Sequence, residues 1–333
     1  MGRVTFLRHH KPPGPLPNHL QSVVSANESR LGYFFGNIFY FDEVTSTNDL
    51  ALEWADNGAP EGTVIVARAQ TAGRGRQGRR WVSPADVGLY ASLILRPGRV
   101  VPLLTHTVGV ALAESLRTLT DLQIELKWPN DLVIKTTQQV VSEYRKIGGI
   151  LTESAGRSGS CQYVVVGFGI NLKASKLPIE VAKLATSVEA ELGDKVDSAR
   201  LMVESLAAIV RWHKILLEGQ TDVILDRWRA FSPSSEGAHV EWRGQSEWYG
   251  GMTVGIDDGG ALMGFTITNG YGQGASFEDF ISMAADEETL DSLLTHVLRA
   301  GGISVGNASP YLKDLHITNN TARNVGGGIG LIN

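Results

Sequence analysis

The 333-residue chain is 43% hydrophobic and 20% charged with a net charge of −5, which supports a globular core and excludes a general polyanion binder. Its single cysteine, Cys161, excludes a disulfide framework and a cysteine-rich zinc site. No apolar run reaches the ~18 residues of a membrane span, and the N-terminus lacks an apolar signal core, so the sequence predicts a cytoplasmic protein.

Residues 1–30 carry several prolines and little periodicity, and read as a loose arm. FFGNIFYF, from Phe34, reads as a β run. Ser46 is a good N-cap for a helix with Leu50 and Trp54 on its apolar face. TVIVARA (63–69) and GLYASLIL (88–95) are strands. Residues 103–119 place Leu104, Val108, Leu112, Leu116 and Leu119 at helical spacing. QIELKW (123–128) and LVIK (132–135) flank a Pro-Asn-Asp turn; IGGILTE and QYVVVGFGI are further strands; helices follow at 198–217 and 220–231. AHVEWR and 247–256 form a small β unit. Strands predominate and alternate irregularly with helices, which predicts an α+β mixed sheet.

The last seventy residues change in style. They are rich in Gly, Asn and Thr, and ITN recurs at 267–269 and 317–319 with an acidic, leucine-bearing helix expected at 277–300 between. A repeat of this kind suggests β-solenoid rungs, of which two alone bury no core.

Four stretches are candidates for chemistry. TAGRGRQGRRW (71–81) packs four arginines and three glycines into Gly73–Arg80. It lies between two apolar strands, where a disordered Arg-Gly tract is not expected. Glycines let backbone N–H groups approach an anion, and arginines offer paired donors to phosphate or carboxylate. A solvated basic hairpin is the plain alternative. No Walker motif is present, and the G-x-G-x-x-G of Gly73, Gly75 and Gly78 lacks the helix and later acid of a dinucleotide site. KWPND (127–131) puts Asp131 at a strand end, where a carboxylate can face Mg²⁺ near phosphates. RKIGGIL (145–151) sets Lys146 before a buried strand with a glycine pair, and GFGIN (167–171) interrupts a strong strand with glycines, as a bulge or a close ligand approach does. The histidines form no metal-ligand spacing, and no G-x-S-x-G elbow occurs.

In this order, with STN at 46–48, these motifs closely resemble the biotin protein ligases, from about Tyr40 to Leu262. The resemblance implies a class II aminoacyl-tRNA-synthetase-like catalytic fold over 33–235, preceded by an arm (1–32). After it come a partial SH3-like barrel (236–262) and an atypical β-solenoid-like tail (263–333). It implies that biotin and Mg-ATP give biotinyl-5′-AMP and pyrophosphate, and that a lysine of a biotin carboxyl carrier protein then takes the biotin and releases AMP. By motif position, Ser46, Thr47, Asn48, Gln70, Arg74, Gly75, Arg76 and Lys146 correspond to biotin-binding residues. Arg79, Trp81, Asn130, Asp131, Gly149 and Asn171 correspond to the nucleotide side. Arg76 and Lys146 are the catalytic pair, and Asp131 is the candidate Mg²⁺ residue. The stretch before Tyr40 is too short for the DNA-binding domain of repressor forms, so neither specific DNA binding nor a membrane partner is expected.

Two departures accompany the resemblance. TTQQVVSEY enlarges the loop before RKIGG, and the barrel text is replaced from about Met263. The second makes a non-catalytic biotinyl-adenylate- or carrier-binding protein, disabled by the altered C-terminus, the alternative, ahead of a lipoate–protein ligase, to which the arginine-glycine loop and KWPND do not fit.

Overall fold

A computed structural model describes residues 12–97, 103–135, 144–157, 160–173, 178–243, 248–256 and 262–268, with short segments at 304–306, 317–318 and 330–332. The enlarged loop and the helix expected at 277–300 lie outside these residues. The chain divides into two compact units, one of 1–126 with 130–224 and one of 127–129 with 225–333.

The first unit is built on a seven-stranded mixed sheet of order β1-β2-β3-β7-β6-β5-β4. The strands are β1 (Ile38–Val44), β2 (Val64–Gln70), β3 (Gly88–Leu95), β4 (Ile124–Lys127), β5 (Asp131–Lys135), β6 (Tyr144–Arg157) and β7 (Ser160–Asn171). β1 and β2 run parallel, and the pairs β2–β3, β3–β7, β7–β6 and β6–β5 are antiparallel. β3 is buried along nearly its whole length, so both faces of the sheet are covered there, and such strands read as unbroken apolar runs.

Helix α3 (Thr47–Asp56) begins at Ser46, whose side chain accepts from the Asp49 N–H. Its Leu50 and Trp54, one turn apart, join Phe41, Ile65, Ile94 and Val165 in one apolar cluster. Val64, Val66, Val164 and Val166, one residue out of phase along the same strands, are buried outside that cluster and so face the other way. Two short helices, α5 (Ile179–Ala182) and α6 (Val188–Leu192), precede α7 (Ser198–Leu217), which packs on α4 (Leu104–Thr120). Asp197 caps α7 by accepting from the Ala199 and Arg200 N–H groups.

Two local expectations are corrected. The arm is not loose throughout: α1 (Asn18–Ala26) and α2 (Glu28–Leu31) form within it, and Leu20, Val24 and Leu31 are buried. Leu20 and Val24, four residues apart, give one short stripe that packs on α7. The β run does not begin at Phe34, because Gly32–Phe34 is a 3₁₀ turn and Gly36 has φ 78°. Only after that left-handed residue does β1 start.

In the second unit, β8 (His239–Arg243), β9 (Trp248–Ile256) and β10 (Leu262–Thr268) form an antiparallel meander. β10 runs through the point where the text changes. β11 (Ser304–Gly306) and β13 (Gly330–Ile332) pair in parallel. β12 (Ile317–Thr318) also pairs in parallel, with Ile267 and Thr268 of β10.

Candidate active site

The arginine-glycine stretch is an ordered hairpin. Trp81 N–H donates to Gly73 O at 2.8 Å, Gly75 N–H to Arg79 O at 2.7 Å and Arg79 N–H to Arg76 O at 3.1 Å. Gln77 (φ 54°) and Gly78 (φ 70°) make the reversal at its tip. The hairpin's base is tied to the turn before α3, since Thr71 and Ala72 N–H groups donate to Val44 and Thr45 carbonyls.

A polar frame joins the candidate biotin residues. Gln70 Oε1 accepts from Thr47 N–H at 2.7 Å and lies 3.1 Å from Thr47 Oγ1, while Gln70 Nε2 donates to Ser83 Oγ at 2.8 Å. Ser92, fully buried, stands 2.8 Å from Thr47 Oγ1 and 2.6 Å from Asn48 Oδ1. Asn48 Nδ2 donates to Leu151 O at 3.2 Å and to Glu153 Oε2 at 2.9 Å. The Asn48 amide is thus committed on both sides. Gly167 leaves its room: a Cβ there would sit 1.8 Å from Asn48 Oδ1.

Arg74 reaches the same frame. Its guanidinium donates to Asp49 Oδ1 and Glu153 Oε1, both at 2.5 Å. Burial works against the Arg74 cation, but the two carboxylates outweigh it and the pKa is raised.

Lys146, one of the candidate catalytic pair, stands at the β5–β6 edge of this region. Lys146 Nζ donates to Asp131 Oδ1 at 2.5 Å and lies 5.3 Å from the centre of the Trp81 ring. A β-bulge aims the lysine. Leu132 pairs with Gly148 and Val133 with Lys146, so Ile147 is the extra residue on β6. Beyond the end of β7, the backbone of residues 184–186 takes over as Lys146's neighbour, with Lys146 N–H to Leu184 O and Thr186 N–H to Lys146 O, both 2.9 Å. Asn171 Nδ2 holds this segment by donating to Thr186 O at 3.0 Å. Asn130 clamps β5 to β6 through its side chain on Ile150 O at 2.6 Å.

Two glycines of the motifs meet here. A Cβ on Gly169 would lie 2.5 Å from Trp81 Nε1, and one on Gly149 would lie 3.0–3.1 Å from Lys146 Cε and Nζ. Both therefore give the indole and the ammonium their places.

Arg76 is half-buried in the hairpin. Burial lowers its pKa, the Asp131 charge opposes that shift and Arg79 adds to it. Arg79 itself is exposed on the loop. His106, buried at the start of α4, feels the Arg76 charge: burial first and that cation second push its pKa down to about 4.

Ser83, Ser92, Glu153 and His106 escaped the sequence reading. Ser92 had a signal, as the one aliphatic hydroxyl in the apolar run GLYASLIL. The others had none, because their partners are distant in sequence. Among the described residues no cluster of three or more His, Cys, Asp or Glu side chains forms a metal cage, and no helix is long and apolar enough to cross a membrane.

A family model described as the biotin/lipoate A/B protein ligase family matches residues 39–171, which hold every motif above. The chain is 34% identical over 233 residues to the bifunctional ligase/repressor BirA of Bacillus spizizenii, covering 68% of this chain and 69% of that protein. It is also 34% identical over 226 residues to the biotin–[acetyl-CoA-carboxylase] ligase of Paracoccus denitrificans, covering 66% of this chain and 90% of that one. Among solved structures, the biotin protein ligase from Aquifex aeolicus in complex with biotin and ATP superposes with a TM-score of 0.58 at 28% identity, over 70% of this chain and 95% of that chain. The chain therefore belongs to the biotin/lipoate A/B protein ligase family and, within it, to the biotin protein ligases.

Proposed function

We propose that this protein is an ATP-dependent biotin–protein ligase that makes biotinyl-5′-AMP and passes the biotin to a lysine of a carboxyl carrier protein of the acetyl-CoA carboxylase type. The observation that carries this reading is the meeting of Arg76, Asp131, Lys146 and Trp81 beside the ordered arginine-glycine hairpin. In the first step a biotin carboxylate oxygen attacks the α-phosphorus of ATP, and the bond to pyrophosphate breaks. No side chain need act as nucleophile; the demand is for cations where charge accumulates. Lys146 and Arg76 meet that demand. The Lys146 ammonium, already aimed by Asp131 and the bulge, bonds the carboxylate and the acyl-phosphate oxygens. Arg76 brings a partly desolvated charge that an anion would stabilise. In the second step the carrier's lysine amine attacks the acyl carbon, the bond to AMP breaks and the amine loses a proton.

The roles of the remaining residues follow from their surroundings. Ser46, Thr47, Gln70 and the Gly75 backbone form the polar end of the biotin pocket, with Asn48 and Arg74 holding its frame. Trp81, Gly149, Asn130, Asn171 and Arg79 bound the nucleotide side. The site fits a Mg²⁺ that arrives with ATP rather than one held by a protein cage, since Asp131 offers one carboxylate and Mg²⁺ takes most of its other oxygens from phosphates and water. When bound, the ion would neutralise phosphate charge. A mixed anhydride hydrolyses readily, so closure of residues 73–80 over it would protect it from water. ATP and a carrier lysine as substrates support a cytoplasmic enzyme.

Mass spectrometry under native and denaturing conditions, after incubation with biotin and Mg-ATP, tests the reading. Retained biotinyl-5′-AMP and transfer to a carrier domain are expected. A folded chain that forms no adenylate would refute it.

A further inference from the structure

We propose that Glu153 is a positioning residue of this reaction, coupling the arginine-glycine hairpin to the frame of the biotin pocket; the inference rests on the ligase reading above. None of the family motifs contains Glu153. It stands on β6 opposite Val165, three-quarters buried, and its two oxygens serve two different elements. Oε1 accepts from Arg74 of the hairpin at 2.5 Å, and Oε2 accepts from Asn48 of α3 at 2.9 Å. From Asn48 the chain of contacts continues through Ser92, Thr47 and Gln70 to Ser83, which lies 3.2 Å from Trp81 O at the hairpin's far end. Arg74 closes the circuit on the other side through Asp49, whose N–H donates to Ser46 Oγ at 3.3 Å. Glu153 is thus the junction at which one end of the hairpin is locked to the residues that line the pocket.

The chemistry requires a carboxylate. Glutamine at this position keeps the shape and one acceptor for Asn48, but turns an NH₂ group toward a guanidinium that has only donors. The charge-assisted bond is lost and two donors confront each other. Asp49 alone then holds Arg74, and the hairpin is freed from the frame.

The test uses the full chain as Glu153→Gln, Arg74→Gln and the double variant. Expected for each single variant is a rise in the KM for biotin of about tenfold, the worth of one charge-assisted hydrogen bond, with kcat and the KM for ATP within about threefold of wild type. In the double variant the neutral amides can pair, so its KM stays near that of either single variant, whereas independent effects would multiply to about a hundredfold. Hydrogen exchange of the Gly75, Arg79 and Trp81 amides in the ligand-free protein is expected to quicken in both single variants while α7 amides keep their rates. An unchanged KM for biotin, a multiplicative double variant, or hairpin exchange that does not respond would each overturn the proposal. If the wild-type chain makes no biotinyl-5′-AMP, the ligase reading fails by itself, and the exchange rates still decide whether Glu153 holds the hairpin.

Discussion

Gly167→Ala is the sharpest test of the polar frame. The added Cβ would stand 1.8 Å from Asn48 Oδ1 and 2.7 Å from its Cγ, so the amide must leave its place. Asn48 then gives up its contacts with Ser92 at 2.6 Å, Leu151 O at 3.2 Å and Glu153 at 2.9 Å. Each is worth about 1 kcal/mol net; Ser92 keeps Thr47 Oγ1 at 2.8 Å as a partner, and forcing the amide aside adds an overpacking cost of about 1 kcal/mol. The expected destabilisation is about 4 kcal/mol, read by urea denaturation followed by circular dichroism. Asn48→Ala removes the same contacts without a clash and should cost about 3 kcal/mol. In that background Gly167→Ala should cost less than about 1 kcal/mol, because the two closest atoms are gone, only Ser92 Oγ at 3.1 Å is left to give way, and alanine suits a strand better than glycine. Additive costs would refute the reasoning, since they would mean that Gly167 is required by its backbone and not by Asn48.

Lys146→Met should slow adenylate formation by about 10²–10³-fold, the scale of one removed cationic or oxyanion-stabilising group, with the thermal midpoint nearly unchanged because Lys146 is one-third exposed. Single-turnover pyrophosphate release checks it; a normal rate would remove Lys146 from the chemistry. Arg76→Gly should let biotinyl-5′-AMP escape at least about tenfold faster, measured by chasing labelled adenylate from the purified complex, and an unaltered escape rate would speak against closure through that residue. His106 has a folded pKa lowered from 6.5 to about 4, so the unfolded chain binds its proton first as pH falls. Its stabilisation is complete above about pH 6.5 and is lost on the way down to about pH 4, by about 3 kcal/mol at about 1.4 kcal/mol per pH unit. His106→Gln should flatten stability across that interval in acid titrations followed by denaturation, and an unchanged slope would show that His106 does not carry it.

The parts of the fold that local sequence could announce were those with a single strong signal. β3 matched GLYASLIL end to end because it is apolar throughout, and α7 matched 198–217 because a 3.6-residue stripe follows the Asp197 cap. α1 was missed since its evidence is only Leu20 and Val24 in a proline-rich context. The motifs named residues that the fold brings near one another, but not which of them bond to the protein itself. Asn48 and Arg74 read as ligand residues in the sequence; only the three-dimensional contacts with Ser92 and Glu153, 44 and 79 residues away, reveal how far each is already engaged by the protein. Such pairings have no local period to betray them.

The same contacts sort the positive charges that made the sequence conspicuous. Arg74 faces two carboxylates, Arg80 donates to Thr71 O at 2.9 Å, and Arg145 holds the 182–191 segment through Ala185 O at 2.8 Å and Glu191. These are already spent on the protein's own structure. Lys146 has one carboxylate partner, Asp131. Arg76 has no ion pair with a described residue, and burial has lowered its pKa. A cation that has lost hydration without gaining a carboxylate in contact is one that an incoming anion stabilises most. Of the hairpin's four arginines, then, Arg76 is the one that burial has desolvated without a carboxylate in contact among the described residues, and Lys146 has a partner that the acyl phosphate of the proposed reaction would share or replace. An anion between them would gain from Arg76's desolvation and would compete with Asp131 for the lysine. The Asp131 carboxylate carries the same sign as the substrates, yet it holds the ammonium in place before they arrive, and it is the side chain that would face a Mg²⁺ arriving with the phosphates.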